Sequence, residues 1–469
     1  MSTSPQKNDV IRLNIEGMTS EGSAVGRHNS FTVFVPNGAI GDVIDCRIIK
    51  VKKNYAIGKI ERIISPSPDR IESDCPVSFS CGGCTYRHIN YEAQLRIKRQ
   101  MVEDAFRRIG GIQIDVNPVM PSPEINGYRN KAQFPVREEN GEIKIGFFAP
   151  RSHRIIECGG ICRLQPEQFG EIVNEVRSWM QEGKIKAYDE STGKGLVRHI
   201  YLRKGFATGE IMLCLVLNGN LKEKDKAQLI KRITEKHDSV KSICLNKNTR
   251  DTNVILGDDF ELIYGEKAIG DRLGDLEIKL PPEVFYQINK EQAERLYKKA
   301  AELASLKGGE TLMDLYCGTG TIGLFMIKEA MKESANTGST PIKLIGVEVV
   351  EESVKTAREN AKRNGINNTE FICATAEKAA EILLQRGDRP DVLVIDPPRK
   401  GCTPELIDTI AKMNPERIVY ISCDCATLAR DAAIFKEKGY ALHTPTPVDM
   451  FPHTPHVETV VLMSRKEDK

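Results

Sequence analysis

The sequence lacks the features of several protein classes. Its 469 residues contain no uninterrupted apolar run of about 18 residues, the length that a membrane-spanning helix needs. Residues 1–8 are polar without the apolar stretch of a secretory signal, and low-complexity tracts are absent. The formal net charge is only +2, so any binding of nucleic acid has to come from local basic patches. We therefore expect a globular protein without a membrane partner.

Cysteine, in contrast, is plentiful, with thirteen residues. Without a secretory signal this number favours a reducing compartment, so we expect a cytoplasmic protein whose thiols are ligands, catalysts or packing residues. The length exceeds what one ordinary hydrophobic core occupies, and two or three domains are expected. No sequence feature points to an obligate protein partner.

A cysteine at the end of a buried strand is the most informative feature of the chain. The hydrophobic segment 417–422 predicts a strand, and Cys423 follows it directly. A second predicted strand, 392–395, runs into a polar turn that begins with Asp396. Open α/β sheets place their chemistry at the carboxyl ends of strands. A thiol beside such a turn therefore indicates covalent attack on a planar, electron-poor substrate.

From about residue 283 onward, strand and helix patterns alternate, which predicts a doubly wound sheet. An antiparallel pair at its edge is expected from segments 440–447 and 457–464. The glycine-rich turn 317–323 follows a predicted strand, where a ligand can approach the backbone. Glu348 ends the next strand, where a carboxylate can accept hydrogen bonds from ribose hydroxyls.

Acidic residues at three strand ends make this pattern more specific than a glycine-rich turn alone. Asp314 precedes the glycines, Glu348 ends the second strand and Asp396 follows the fourth. The arrangement resembles S-adenosylmethionine-dependent methyltransferases, and the alternative is a fold that binds NAD or another nucleotide.

The N-terminal part, from residue 10 to about 65, predicts short strands that form a small barrel. Basic side chains surround Tyr55, which suits RNA but also suits an edge strand kept soluble by lysines. The segment 65–68 is expected to be a linker. A basic helix is predicted at 91–109, and a β-rich α+β region at about 125–280. The basic residues around Tyr55 are Lys50, Lys52, Lys53, Lys59 and Arg62.

Three cysteines within ten residues indicate a metal site. Cys75, Cys81 and Cys84 need a fourth ligand, and Cys158 and Cys162 are the nearest candidates. Four thiolates suit zinc or an iron–sulfur cluster, and three clustered ligands plus one remote ligand favour the cluster. The spacing does not match radical enzymes.

Together these features resemble the RNA uracil-5 methyltransferases, in particular the branch that acts on 23S ribosomal RNA. The resemblance covers nearly the whole chain and extends to a late segment, 450–458. It implies three domains: a TRAM/OB-like β-barrel for RNA binding at 1–66, a central α+β iron–sulfur domain at 67–282, and a Rossmann-like α/β S-adenosylmethionine methyltransferase domain at 283–469.

The resemblance also assigns residues. It makes Cys423 the catalytic nucleophile and Glu458 the catalytic base. Because Cys162 stands in the family's Cys-x-Leu context, the fourth cluster ligand is expected there rather than at Cys158. The implied contacts of S-adenosyl-L-methionine are Gln287, Tyr316, Glu348 and Asp396. The implied ligands of a [4Fe-4S] cluster are Cys75, Cys81, Cys84 and Cys162.

The expected function is methylation of carbon 5 of a uridine in 23S ribosomal RNA, through a covalent bond between the cysteine and carbon 6. The alternatives are the same reaction on a transfer RNA uridine, or a non-catalytic RNA-binding or folding factor. One departure is Cys425, which stands where the family has proline. It is interpreted as a replacement, and the alternative is a second reactive thiol. The candidate RNA contacts are Lys50, Lys52, Lys53, Arg96, Lys98, Arg99, Arg129, Lys131 and Lys400.

Overall fold

The computed structural model describes residues 4–334 and 340–465. The first five strands form a closed barrel in the order β1-β2-β3-β5-β4. Inward and outward positions alternate along the strands, and branched side chains such as Leu13, Val33 and Ile44 fill the interior. The predicted barrel is thus confirmed. Its strands are β1 (Val10–Met18), β2 (Ala24–His28), β3 (Phe31–Val35), β4 (Val43–Val51) and β5 (Tyr55–Ser65).

The segment after the barrel is fixed by a buried carboxylate. Asp42 is fully buried and accepts hydrogen bonds from the backbone N–H groups of Ala39 and Ser67, over 2.7 and 2.9 Å. Arg70 donates to both of its oxygens. Burial opposes ionisation, yet Arg70 and the backbone donors together lower the pKa of Asp42. The segment predicted as a linker therefore anchors the barrel to the rest of the chain.

A seven-stranded sheet follows, in the order β12-β11-β10-β9-β6-β7-β8, with only β10 and β11 parallel. Side chains of two amphipathic helices, including Trp179 and Leu229, cover one face. The predicted strands are present, whereas these helices were not predicted. The elements are β6 (Lys131–Glu139), β7 (Glu142–Phe148), β8 (Ile155–Glu157), α3 (Glu167–Glu182), β9 (Val197–Lys204), β10 (Ile211–Leu217), α4 (Glu223–Lys236), β11 (Val240–Lys247) and β12 (Asp259–Gly265).

Two elements connect the central region to the C-terminal sheet. A short helix, α1 (Ser78–Cys81), lies in the cysteine segment, residues 75–84, and α2 (Tyr91–Arg108) follows it. Phe106 of α2 is buried in the core of the C-terminal sheet. The hairpin β13 (Ile269–Leu273) and β14 (Leu276–Leu280) packs on the opposite face of that sheet.

The C-terminal sheet has the order β17-β16-β15-β18-β19-β22-β20, with β21 paired to β22. Strands β15 to β19 are parallel and β22 is antiparallel, which confirms the doubly wound sheet with an antiparallel edge. The elements are α5 (Lys290–Ala304), β15 (Thr311–Leu315), α6 (Thr321–Ser334), β16 (Lys343–Glu348), α7 (Glu351–Arg363), β17 (Thr369–Cys373), α8 (Ala376–Arg386), β18 (Val392–Ile395), α9 (Pro404–Met413), β19 (Arg417–Ser422), α10 (Cys425–Glu437), β20 (Tyr440–Leu442), β21 (Thr446–Val448) and β22 (Glu458–Arg465).

Within the ranges 4–334 and 340–465, the helices are all too short or too polar to cross a membrane.

Candidate active site

One cavity of about 740 Å³ gathers residues from the carboxyl ends of the parallel strands. Its position agrees with the rule that open α/β sheets bind ligands at that edge. The sequence-predicted residues meet in it from five strand ends and one loop. The cavity is lined by Gln287, Tyr316, Glu348, Asp396, Cys423 and Glu458.

The turn after β15 shapes one wall of the cavity. Tyr316 and Gly318 both have positive φ, at 67° and 54°, so the backbone turns sharply between β15 and α6. A Cβ on Gly318 would meet no atom within 4 Å, which leaves open space beside the backbone. The N–H of Gly318 donates to Glu348 over 3.1 Å. Glu348 also accepts from the N–H groups of Val349 and Val350, so this carboxylate is held in place by backbone donors.

The mouth of the cavity is apolar. Phe285 is 62% exposed and Val349 is 60% exposed, and both line the cavity. Large exposed apolar side chains at a cavity mouth are typical of a ligand-binding surface. Next to the acidic interior, they suit a ligand with a flat apolar ring and a positive charge.

The thiol of Cys423 lies in a tight turn between β19 and α10. Asp424 accepts hydrogen bonds from the N–H groups of Ala426 and Thr427, over 2.9 and 3.0 Å, and thereby caps α10. Ser422 donates to the carbonyl oxygen of Asp424 and accepts from its N–H. These bonds fix the backbone on both sides of Cys423.

Strand pairing places Glu458 next to this thiol. Ser422 pairs with Thr459 in the antiparallel register of β19 and β22, and the next residues toward the cavity are Cys423 and Glu458. Glu458 is 3% exposed. Its Oε2 is buried and has no hydrogen-bond partner among the described residues. A ligand with a polar group could supply the missing hydrogen bond to this oxygen.

The electrostatics keep both groups neutral before ligands bind. Burial, and then the carboxyls of Glu458 and Asp396, raise the pKa of the Cys423 thiol to about 11, against the charge of Arg399. Burial and then Asp396 raise the pKa of Glu458 well above its usual range. Burial raises the pKa of Asp396 to about 7. A cation in this cavity would favour the ionised carboxylates.

A second cavity of about 570 Å³ adjoins the first and shares Cys423, Arg399 and His456 with it. Its other walls come from three parts of the chain: Ser20 and Glu21 of the barrel, the cysteine segment, and Arg129. The sequence prediction identified Arg129, but not the barrel loop or Arg399. Arg399 belongs to the same polar turn as Asp396, which was the available signal.

The predicted basic contacts differ in exposure. Lys98 is fully buried and forms an ion pair with the buried Asp449, so its prediction as an RNA contact was wrong. Arg96 and Arg99 pair with carboxylates of neighbouring residues at the surface. The lysines at 50, 52 and 53 are exposed on the barrel.

The cysteine segment brings several thiols together without forming a closed ligand set. Cys81 accepts a hydrogen bond from Cys158, which with the N–H of Gly83 lowers the pKa of Cys81 to about 6 despite burial. Cys162 is close enough for Cys84 and Cys81 to raise its pKa, after burial, to about 11. Across residues 4–334 and 340–465, no three His, Cys, Asp or Glu side chains are arranged to hold a metal ion.

The thiol positions therefore differ from the predicted ligand set. Cys158, which the sequence ranks below Cys162, contacts Cys81 directly. Cys75 precedes α1, where its carbonyl accepts from the N–H of Ser78. Among the described residues, Cys81, Cys84, Cys158 and Cys162 lie near one another, but not in the geometry of a cluster site.

Comparisons with known proteins agree with this architecture. A family model described as tRNA (Uracil-5-)-methyltransferase matches residues 90–466, and a TRAM domain model matches residues 6–60. An uncharacterized RNA methyltransferase from Clostridium tetani is 43% identical over 464 residues, covering 99% of this chain and 98% of the relative. Another, from Halalkalibacterium halodurans, is 41% identical over 461 residues, covering 98% of each.

A solved structure extends the likeness to three dimensions. The Pyrococcus abyssi tRNA (uracil-54, C5)-methyltransferase, in complex with S-adenosyl-L-homocysteine, matches with a TM-score of 0.76 and 28% identity, over 96% of this chain and 99% of that chain. The family model alone covers most of the sequence. The chain therefore belongs to the tRNA (uracil-5-)-methyltransferase family of RNA methyltransferases and carries an N-terminal TRAM domain.

Proposed function

We propose that this RNA methyltransferase transfers a methyl group from S-adenosyl-L-methionine to carbon 5 of a uridine through a covalent intermediate on Cys423. The observation that carries the proposal is the meeting of Cys423 and Glu458 at one cavity edge, where β19 and β22 pair. Both residues line the same cavity as the predicted donor contacts.

The chemistry follows from the weak nucleophilicity of carbon 5. The thiolate of Cys423 adds to carbon 6, which moves the electron pair of the 5,6 double bond into an enolate. Carbon 5 then takes the methyl group of the donor, whose methyl carbon–sulfur bond would break so that the sulfonium leaves as a neutral thioether. Glu458 removes the proton from carbon 5, and elimination re-forms the double bond and releases the thiolate.

The cavity fits the donor by charge and shape. The unpartnered Glu458 oxygen and the half-buried Asp396 offer acceptors near a sulfonium and an amino group. Glu348, held by backbone donors, is placed to accept from ribose hydroxyls, as the sequence pattern predicts. Gln287 and Tyr316, which line the same cavity, complete the proposed contacts.

The second cavity is proposed to hold the RNA. Its position beside Cys423 suits a nucleotide taken out of a helix, because the target carbon cannot be reached inside a base-paired stack. Arg129 and Arg399 line it and are proposed to contact phosphates. The exposed lysines of the barrel would extend that path, and residues 1–66, 67–282 and 283–469 would act as RNA-binding, central and methyl-transfer parts.

The substrate is proposed to be 23S ribosomal RNA, and the motif set supports this branch. The overall architecture does not by itself separate the two substrates, because the similar Pyrococcus abyssi structure is a transfer RNA enzyme that matches 96% of this chain. A transfer RNA uridine is therefore the second candidate substrate.

A [4Fe-4S] cluster on Cys75, Cys81, Cys84 and Cys162 is proposed on the resemblance alone. Soft thiolate donors favour iron–sulfur or zinc, but the side chains, as arranged, do not fit a cluster. No catalytic step is assigned to it. Protein purified without oxygen should contain iron and sulfide in equal amounts, and stoichiometric zinc instead would contradict the cluster.

Two experiments test the function. A strain that lacks the gene should lose 5-methyluridine at one or more positions, and mapping of 23S and transfer RNA identifies the substrate. In vitro, Cys423→Ala should abolish methyl transfer while RNA binding remains. Activity that persists in this variant would refute the nucleophile, and unchanged 5-methyluridine in both RNAs would refute the reaction. A non-catalytic factor would bind RNA without methylating it.

A further inference from the structure

One buried carboxylate outside both cavities joins the segments that carry the reacting groups. Asp431 lies on α10, and its side chain is fully buried. Its Oδ2 accepts a hydrogen bond from the Tyr420 hydroxyl over 2.7 Å and from the N–H of Cys402 over 2.8 Å. Its Oδ1 accepts from Arg430 Nε over 2.8 Å.

Asp431, Tyr420 and Cys402 belong to three different segments around the candidate active site. Tyr420 is on β19, three residues before Cys423. Asp431 is on α10, which begins two residues after Cys423. Cys402 ends the polar loop 396–402, which presents Asp396 and Arg399 to the cavities. The carboxylate therefore holds the segments on both sides of the thiol to the loop that faces it.

Arg430, also on α10, adds further hydrogen bonds between this helix and the 396–402 loop. Its Nη2 donates to the carbonyl oxygens of Lys400 and Cys402, over 2.9 and 3.2 Å. Between these residues, Gly401 has a positive φ of 73°, and a Cβ there would lie 2.6 Å from both Arg430 Nη2 and Asp431 Oδ2. The loop thus approaches α10 so closely that only glycine fits.

The loop matters because of Arg399. Its positive charge lowers the pKa of Cys423 and of Glu458, against the effect of burial, and it lines both cavities. Arg399 has an exposed side chain, so its distance from the thiol depends on the backbone that carries it. That backbone is fixed three residues later, at Cys402, by Asp431.

We propose that Asp431 is a positioning residue, which fixes the 396–402 loop against α10 and so keeps Arg399 in register with Cys423. The inference rests on the proposed function of Cys423. Neither the predicted site residues nor the cavities include Asp431, Tyr420 or Arg430.

Asp431→Asn tests the proposal because it keeps the shape but removes the charge that Arg430 requires. The full-length variant should lose about 10- to 100-fold in kcat, since small misplacements of reacting groups cost that much. The Kd for S-adenosyl-L-methionine should stay within about threefold, since β18 still presents Asp396. The pH profile of kcat/KM should shift upward, because Arg399 no longer faces the thiol.

Hydrogen–deuterium exchange gives a readout that does not depend on the reaction. The peptide that spans 398–403 should exchange faster in Asp431→Asn, since the Cys402 amide loses a charged acceptor. Tyr420→Phe removes only one hydrogen bond and should show the same effects at a few-fold size; it also serves if Asp431→Asn fails to fold. Asp408→Asn, an exposed aspartate on α9, is the control and should match the wild type.

The results distinguish a failure of the Asp431 proposal from a failure of the proposed function of Cys423. Unchanged kcat and an unshifted pH profile in a folded Asp431→Asn or Tyr420→Phe protein would overturn the proposal, as would loss of donor binding in parallel with kcat. If Cys423→Ala kept its activity, the proposed function would fail, whereas faster exchange at 398–403 in Asp431→Asn would still demonstrate the contact.

Discussion

Cys423 and Glu458 lie side by side because β19 and β22 run in opposite directions. The carboxyl end of β19 and the amino end of β22 meet at one edge of the sheet, where Ser422 pairs with Thr459. A parallel strand at this position would place the start of β22 at the far edge. The antiparallel strand is thus what places a carboxyl beside a thiol at the edge of this sheet.

Replacement of the base should separate the two halves of the reaction. Glu458→Gln keeps the size of the side chain but cannot take the proton from carbon 5. We expect turnover to fall about 10²- to 10⁴-fold, while a covalent protein–RNA adduct accumulates as a slow band on denaturing gels. Cys423→Ala is the matched control and should form no adduct. An active Glu458→Gln protein without adduct would contradict the assignment of the base.

The kcat/KM of methyl transfer should rise with pH. Both groups must lose a proton to act, and burial raises the pKa of Cys423 to about 11 and that of Glu458 well above its usual range. The fraction of active enzyme therefore increases from neutral toward alkaline pH, which kcat/KM profiles would measure.

Removal of the nearby positive charge should move this profile. Arg399→Met should shift it upward by roughly one unit, the size expected for a close charge. Lys400→Met is the control and should leave the position of the profile in place. A profile that falls between pH 6 and 8, or one that Arg399→Met leaves unmoved, would argue against the described electrostatics.

The raised pKa of Asp314 should make the stability of the folded protein depend on pH. Burial raises its pKa from 3.8 to about 8 although the N–H of Gly323 donates to it. The folded protein therefore holds a proton that the unfolded chain releases, so this carboxyl makes the free energy of unfolding decrease as pH rises from about 4 to 8. In the absence of donor, Asp314→Asn should show a smaller fall in Tm between pH 5.5 and 8.5 than the wild type. Asp251→Asn, at an exposed site, should show the wild-type fall.

The loop between β1 and β2 of the TRAM domain is expected to influence catalysis, because it lines the second cavity. Gly22 has a φ of +83°, and a Cβ there would lie 3.0 Å from Thr85 Oγ1 and 3.3 Å from Pro455. Gly22→Ala should therefore push the loop of Ser20 and Glu21 away from the second cavity, raise the KM for RNA and lower kcat several-fold, without a change in donor affinity. Gly17→Ala, where a Cβ meets no atom within 4 Å, is the control and should behave as the wild type in steady-state assays.

The sequence predicts well the parts of the site that lie at strand ends. Hydrophobic segments that run into Asp396 and Cys423 mark β18 and β19, and the structure brings both residues to one cavity. Such signals are local, because the strand and the polar turn are contiguous. The family resemblance supplied Glu458 and Gln287, whose local sequence carries no comparable pattern.

Contacts between distant segments could not be predicted in this way. Lys98 lies in a basic helix and was expected at the surface, but its partner Asp449 is 351 residues away in the chain. The same holds for Cys158, whose contact with Cys81 depends on how β8 and α1 meet, and for Asp431. Periodicity reports which face of an element is buried, but not what covers that face.

The neutral resting state of Cys423 also bears on how the enzyme survives oxidants. Peroxides and alkylating agents attack the thiolate rather than the thiol, and a pKa of about 11 keeps the thiolate scarce until substrates arrive. Burial and the neighbouring carboxyls therefore shield the proposed nucleophile chemically between turnovers. A methyltransferase of this design would be damaged mainly while it works, and peroxide should inactivate it faster in the presence of RNA and donor than alone.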